Sequence, residues 1–176
     1  MIEIRWHGRG GQGAFTASKL LGNAAMLEGK YALGFPSFGP ERRGAPMQAY
    51  TKIDGKKIVD RSAIKEADYI IYLDETLYTP AALETLKPSG RLFLNTAVPE
   101  KYAGEARIVA VDADRLSREI LKRAVSNTAM LAALAADIGI VGTESIKQAL
   151  SDFLPEKIAQ KNKLLIEEVE RSVQGQ

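Results

Sequence analysis

The chain opens with apolar residues at alternate positions, Ile2, Ile4 and Trp6, separated by Glu3 and Arg5. That period of two predicts a strand over 2–7 with one face turned to a core. From residue 13 the apolar spacing lengthens to three and four, with Leu20, Leu21, Ala24, Ala25 and Leu27 on one side, which predicts a helix over 13–28. Gly29 stops it in the usual place for a left-handed cap. A short strand over 31–35 follows, ended by Pro36. Residues 47–60 read as a hairpin, because Asp54 and Gly55 sit between two strand-like runs at 49–53 and 57–59. The apolar run 69–73 predicts a buried strand, followed by a helix over 75–86, a turn at 88–90 and a strand over 91–95. Residues 106–111 give one more strand, and Asp112 caps a helix beginning near Asp114. Beyond about residue 115 the chain is helical. It has an alanine-rich helix over 128–138, another from about Thr143, and a last one opened by Pro155 with the apolar stripe Ile158, Leu165 and Val169. Alternation of strands and helices predicts an α/β fold: a mostly parallel sheet with helices on both faces, a β-hairpin insertion and a helical C-terminal part.

Composition narrows the chemistry. The 176 residues fit one domain spanning 1–176, with about 70% of the unfolded surface buried. The charge is close to balanced, 24 basic against 22 acidic side chains, with neither a basic block nor aromatics among basic residues, so nucleic acid is an unfavoured partner. No apolar run approaches about 18 residues and the start lacks a signal-peptide pattern, which predicts a cytoplasmic protein without a membrane partner. The chain has no cysteine and one histidine, His7. Disulfides, thiolate zinc sites and cysteine-held iron–sulfur clusters are therefore excluded within it, and a serine–histidine pair or a histidine-rich metal site is poorly supported.

The first strand runs into Gly8, Arg9, Gly10, Gly11, Gln12 and Gly13, and then into the first helix. A strand, a glycine-rich turn and a helix place several backbone N–H groups at a positive helix end, where an anion can sit, as in Rossmann-like folds. The two common cofactor readings each lose their second half. A dinucleotide site needs an acid at the end of the second strand, but that strand ends Gly34, Phe35, Pro36, Ser37. A nucleoside-triphosphate loop needs a lysine after its last glycine, where Ala14 stands instead. A nucleotide-binding regulatory module, an NAD(P)-dependent dehydrogenase and a ligand-free structural turn remain open at this point.

The segment 36–46 has no periodicity, and irregular stretches of this length inside compact domains are usually functional or mobile. Its core, Phe38, Gly39, Pro40, Glu41, Arg42, Arg43 and Gly44, holds two adjacent arginines between helix breakers, suited to carboxylate or phosphate partners across an interface. Both irregular loops fall at the carboxyl ends of the first two strands, the edge at which α/β sheets place ligands. Asp74 with Glu75, and Asp112 with Asp114, look like paired carboxylates but begin helices, where capping explains them. His7 reads as a hydrogen-bonded histidine at a strand end. No nucleophile with an activating base, metal cluster or acid–base pair emerges, so no catalytic residue is predicted.

Residues 5–13 and 35–46, taken together, strongly resemble the gamma subunit of 2-oxoacid:ferredoxin oxidoreductases, most nearly those acting on pyruvate and branched-chain 2-oxoacids. The resemblance extends through Asp60, Arg61 and Ser62, through 68–74 and through the alanine-rich helix near Asn127, and departs locally over 122–125. It implies a subunit of an enzyme that oxidatively decarboxylates a 2-oxoacid, passes the acyl group to coenzyme A and reduces ferredoxin. It further implies that alpha-, beta- and delta-type partner subunits carry the thiamine diphosphate, Mg2+ and iron–sulfur clusters, while this chain binds none by itself. The implied role is architectural: the two loops pack against the thiamine-binding subunits and shape the access route of coenzyme A. Arg9, Gln12, Arg42 and Arg43 are the residues expected to act at that junction.

Overall fold

The computed structural model describes residues 1–37 and 43–174. Six strands form one sheet: β1 (Ile2–Arg9), β2 (Tyr31–Pro36), β3 (Pro46–Asp54), β4 (Ala67–Tyr72), β5 (Leu86–Asn95) and β6 (Ile108–Val111). Their order is β2-β3-β1-β4-β5-β6. The pairs β1–β4, β4–β5 and β5–β6 are parallel, and β3 alone runs antiparallel to both its neighbours. The carboxyl ends of β1, β2, β4, β5 and β6 thus lie along one edge, together with the start of β3.

The α-helices are α1 (Ala14–Leu27), α2 (Ala113–Leu121), α3 (Asn127–Ile138), α4 (Thr143–Phe153) and α5 (Glu156–Gln174). They share one core with Ile4, Trp6, Ile71, Phe93 and Val109 on one face of the sheet. The alternate residues Ile70, Tyr72, Leu92, Leu94 and Ile108 fill a second core on the other face. Period-two alternation thus buries both faces, which is why 69–73 reads as a continuous apolar run. The second face is covered by short 3-10 helices, Glu75–Leu77, Pro80–Thr85 and Pro99–Tyr102, and by the strap 56–66, which inserts Ile64.

Three expectations change. The antiparallel hairpin is made by β2 and β3, not by 49–53 with 57–59. Both edges of β3 are occupied, by β2 and β1, so no ladder is left for 57–59. The helix expected over 75–86 is broken into two 3-10 turns, because Pro80 lacks an N–H and disfavours helical torsions at Thr79. The turn at 88–90 is absorbed into β5 beside a register shift; a Cβ at Gly90 would stand 2.7 Å from the Asp68 carbonyl oxygen.

In the helical part, α3 is buried at every position from Asn127 to Ala135, so its alanines serve internal packing. Leu27 and Ile158, placed on apolar faces by spacing alone, are exposed at 52% and 49%. Leu165 and Val169 are buried as expected, and Ala159 and Ile166, rather than Ile158, complete the buried side of α5. Asp112 caps α2 as expected, accepting from the Arg115 amide at 2.9 Å.

Candidate functional site

The glycine loop and the described end of the arginine loop meet at the carboxyl edge of the sheet. The Gly10 amide donates to the Ala45 carbonyl (2.9 Å) and the Gly44 amide to the Gly10 carbonyl (3.0 Å), with Gly10 and Arg43 forming a parallel bridge. Phe38, Gly39, Pro40, Glu41 and Arg42 lie outside the described residues. Arg43 is exposed.

Asp74, at the end of β4, is the hub of this edge. Its Oδ2 accepts from Arg9 Nε (3.0 Å) and Gln12 Nε2 (3.2 Å), and its Oδ1 accepts from the Thr76 amide (2.9 Å) and hydroxyl (2.6 Å). Arg9 also donates to the Gly44 carbonyl (3.2 Å) and the Thr76 hydroxyl (2.9 Å). One guanidinium thereby ties three segments that are remote in sequence. Gln12 closes the turn on itself, its Oε1 accepting from the Arg9 amide at 2.6 Å. Burial pulls the Asp74 carboxyl upward, but Thr76, Gln12 and Arg9 outweigh it and hold the group below its usual range. Arg9 and Gln12 are therefore engaged inside the chain rather than extended toward a partner.

The glycines have separable jobs. Gly13, at the start of α1, has φ +83, and a Cβ there would stand 2.5 Å from Asn127 Nδ2. Gly11 has φ +97 with nothing within 4 Å, so only its backbone conformation calls for glycine. A Cβ at Gly8 would touch Leu73 Cδ1 at 3.3 Å. Asn127, buried at the start of α3, donates weakly to the Gly13 carbonyl (3.4 Å), and its Oδ1 has no partner among the described residues.

Two clefts flank the hub. One, of about 280 Å³, contains Gln12, Asn95 and Thr96 with four acids, Asp74, Glu75, Asp112 and Asp114, against Arg118 as the single cation among the described residues. Glu75 accepts from the Thr96 hydroxyl (2.6 Å) and the Tyr102 hydroxyl (2.8 Å), contacts that hold it ionised below its ordinary range. The other, of about 390 Å³, is lined among the described residues by uncharged side chains, His7, Ser37, Pro46, Met47, Gln48 and Leu77. Here His7 departs from expectation. Its ring stacks on Tyr72 (centroids 4.4 Å apart, planes 15° from parallel) and its buried Nε2 has no hydrogen-bond partner among the described residues. Burial, helped by the nearby Arg5 charge, pushes the imidazole down to about 3, so it is neutral near pH 7.

Asp60, Arg61 and Ser62 lie away from this edge, on the strap 56–66. Asp60 pairs with the fully buried Lys52, which also stands 3.6 Å from Glu3. That pair anchors the strap. The sequence reading missed the Asp74–Thr76 hub because a capping role already accounted for Asp74. The available signal was an acid at the end of a central strand beside an arginine-bearing loop.

Residues 3–170 match the family described as pyruvate ferredoxin/flavodoxin oxidoreductase. The chain belongs to that family. It is 45% identical over 163 residues to the pyruvate synthase subunit PorC of Methanocaldococcus jannaschii, covering 92% of this chain and 91% of that protein. It is 44% identical to the common gamma subunit of the pyruvate/ketoisovalerate oxidoreductases of Pyrococcus furiosus, with the same coverage. The crystal structure of the pyruvate oxidoreductase subunit PORC from Thermotoga maritima superposes with a TM-score of 0.83 at 36% identity, over 97% of this chain and 95% of that one. Neither the dehydrogenase nor the regulatory-module alternative finds support, and β2 indeed ends without an acid.

Proposed function

We propose that this chain is the gamma subunit of a multi-subunit 2-oxoacid:ferredoxin oxidoreductase, an assembly that converts 2-oxoacid, coenzyme A and oxidised ferredoxin to acyl-coenzyme A, CO2 and reduced ferredoxin. Its alpha-, beta- and delta-type partners hold thiamine diphosphate, Mg2+ and the iron–sulfur clusters. This chain contributes a shaped docking edge and part of the route taken by coenzyme A.

The observation that carries the reading is the Asp74 hub. It fixes the glycine loop, the base of the arginine loop and the end of β4 in one rigid edge. A preset loop docks with little further loss of conformational freedom. Arg9 and Gln12 set its shape, while Arg42 and the exposed Arg43 pair with acidic groups of the facing subunit. An anion at the glycine loop is disfavoured by the neighbouring acidic cleft, which favours a protein partner there. The same repulsion leaves the cleft beside His7 as the passage for the phosphate-bearing coenzyme A.

The test is reconstitution with the partner subunits. Arg42→Ala with Arg43→Ala is expected to weaken co-elution and slow acyl-coenzyme A formation. Unchanged assembly and unchanged turnover would refute the docking role.

A further inference from the structure

The register of β2 settles which of its main-chain groups are in use. The Ser37 amide donates to the Gln48 carbonyl at 2.8 Å, which makes these residues a hydrogen-bonded pair. Such pairs recur at every second residue of an antiparallel ladder. Tyr31, Leu33 and Phe35, opposite Asp54, Lys52 and Tyr50, therefore turn their N–H and C=O groups toward β3. Ala32 and Gly34 point theirs out of the sheet, where they find no partner among the described residues.

β2 is the outermost strand and carries no charge over its six residues. Tyr31 is 50% exposed. The other edge strand, β6, is only four residues long and buried throughout. An open, uncharged edge with free donors and acceptors is a template for pairing with another strand, and native chains rarely leave one bare.

We propose that β2 pairs with β2 of a second copy of this chain, antiparallel about a two-fold axis through Leu33, joining two sheets into one. In this register Ala32 and Gly34 of the second copy exchange both main-chain bonds, and the symmetric pair does the same. The side chains match themselves. On one face Tyr31 meets Phe35 of the second copy, and the two Leu33 side chains meet at the axis. Cross-strand pairs of this kind are favourable. On the other face stand the small or ring-closed Ala32, Gly34 and Pro36, the side on which α1 already lies close, with the Ser18 carbonyl oxygen 3.1 Å from a Cβ position at Gly34. No like charges are brought together, because the strand has none. The pairing uses this chain alone and stands apart from the function proposed above.

The absence of native cysteine makes the test clean. Across the axis the two Leu33 residues form a non-hydrogen-bonded pair with Cα atoms about 4.5 Å apart, within the range of about 4.4–6.8 Å that a disulfide spans. The purified full-length chain is expected to sediment as a dimer. Mild oxidation of Leu33→Cys is expected to give a covalent dimer on the order of tenfold or more faster than oxidation of Val59→Cys, since pairing raises the local thiol concentration; Val59 is 81% exposed on the strap. Leu33→Lys, which sets two like charges on the axis, is expected to sediment as a monomer with an unchanged circular dichroism spectrum. A monomeric parent chain, Leu33→Cys linking no faster than Val59→Cys, or a folded Leu33→Lys that stays dimeric would each overturn the proposal.

Discussion

Gly13→Ala separates a glycine required by packing from one required by a ligand. At φ +83 an alanine pays the left-handed penalty of about 1–2 kcal/mol. Its Cβ would also press into the Asn127 side chain, 2.5 Å from Nδ2 and 3.0 Å from Cγ. Asn127 is buried at the first turn of α3 and cannot swing into solvent, so relief requires a shift of a packed helix. Overpacking of this kind costs about 1–3 kcal/mol, which brings the expected total to about 2–5 kcal/mol. In a chain of this length each kcal/mol lowers Tm by about 2–4 °C.

Urea unfolding followed by circular dichroism measures the loss, and Asn127→Ala closes a double-mutant cycle. In the Asn127→Ala background only the backbone penalty, about 1–2 kcal/mol, is expected to remain. Gly11→Ala, with φ +97 and open space around it, is expected to cost that same smaller amount in the parent chain. A Gly13→Ala cost equal in both backgrounds would show that Asn127 does not constrain the loop, and the packing argument would fail.

Two further outcomes follow from the site. Asp74→Ala removes the acceptor shared by Arg9, Gln12 and Thr76 and is expected to cost about 2–3 kcal/mol, since hydrogen bonds to a charged group are each worth roughly 1.5–3 and Arg9 recovers part of its loss in water. Subunit co-elution should weaken in the same variant, whereas a cost below about 0.5 kcal/mol would remove Asp74 as the hub. His7 gives a pH signature: above pH 6.5 the ring is neutral in both folded and unfolded chains and contributes no slope. Between pH 6.5 and about 3 the unfolded chain gains a proton that the folded chain refuses, so stability falls by up to about 1.4 kcal/mol per pH unit. His7→Phe should flatten that limb, and the single histidine ring signal in NMR should stay neutral down to pH 5 in the folded chain. Titration of that signal near 6.5 would contradict the buried, stacked environment.

Much of the fold is legible in the sequence where one periodicity dominates. The alternation at Ile2, Ile4 and Trp6 and the run at 69–73 each produced a strand, because burial on one or both faces leaves a direct trace. The segments that went differently are those in which a local signal met a tertiary constraint. Asp54 and Gly55 form a good turn, yet β3 already has two neighbours, so the following residues become a strap anchored by Asp60 on Lys52 and by Ile64 in the second core. Residues 75–86 have helical spacing that Pro80 interrupts. At the site, the glycine loop and its meeting with the described end of the arginine loop were readable from their places at strand ends. The use of Arg9 and Gln12 was not, because an arginine in an exposed turn looks the same whether it faces a partner or an aspartate 65 residues away.

The central claim is that this chain shapes and joins an oxidoreductase whose chemistry resides on its companions. The most direct measurement compares 2-oxoacid- and coenzyme A-dependent ferredoxin reduction, under anaerobic conditions, by three preparations: this chain alone, the partner subunits alone, and all of them together. The account predicts activity only in the complete assembly, with thiamine diphosphate and iron retained by the partners. Turnover of a 2-oxoacid by the purified chain alone, or full activity of the partners without it, would contradict the account.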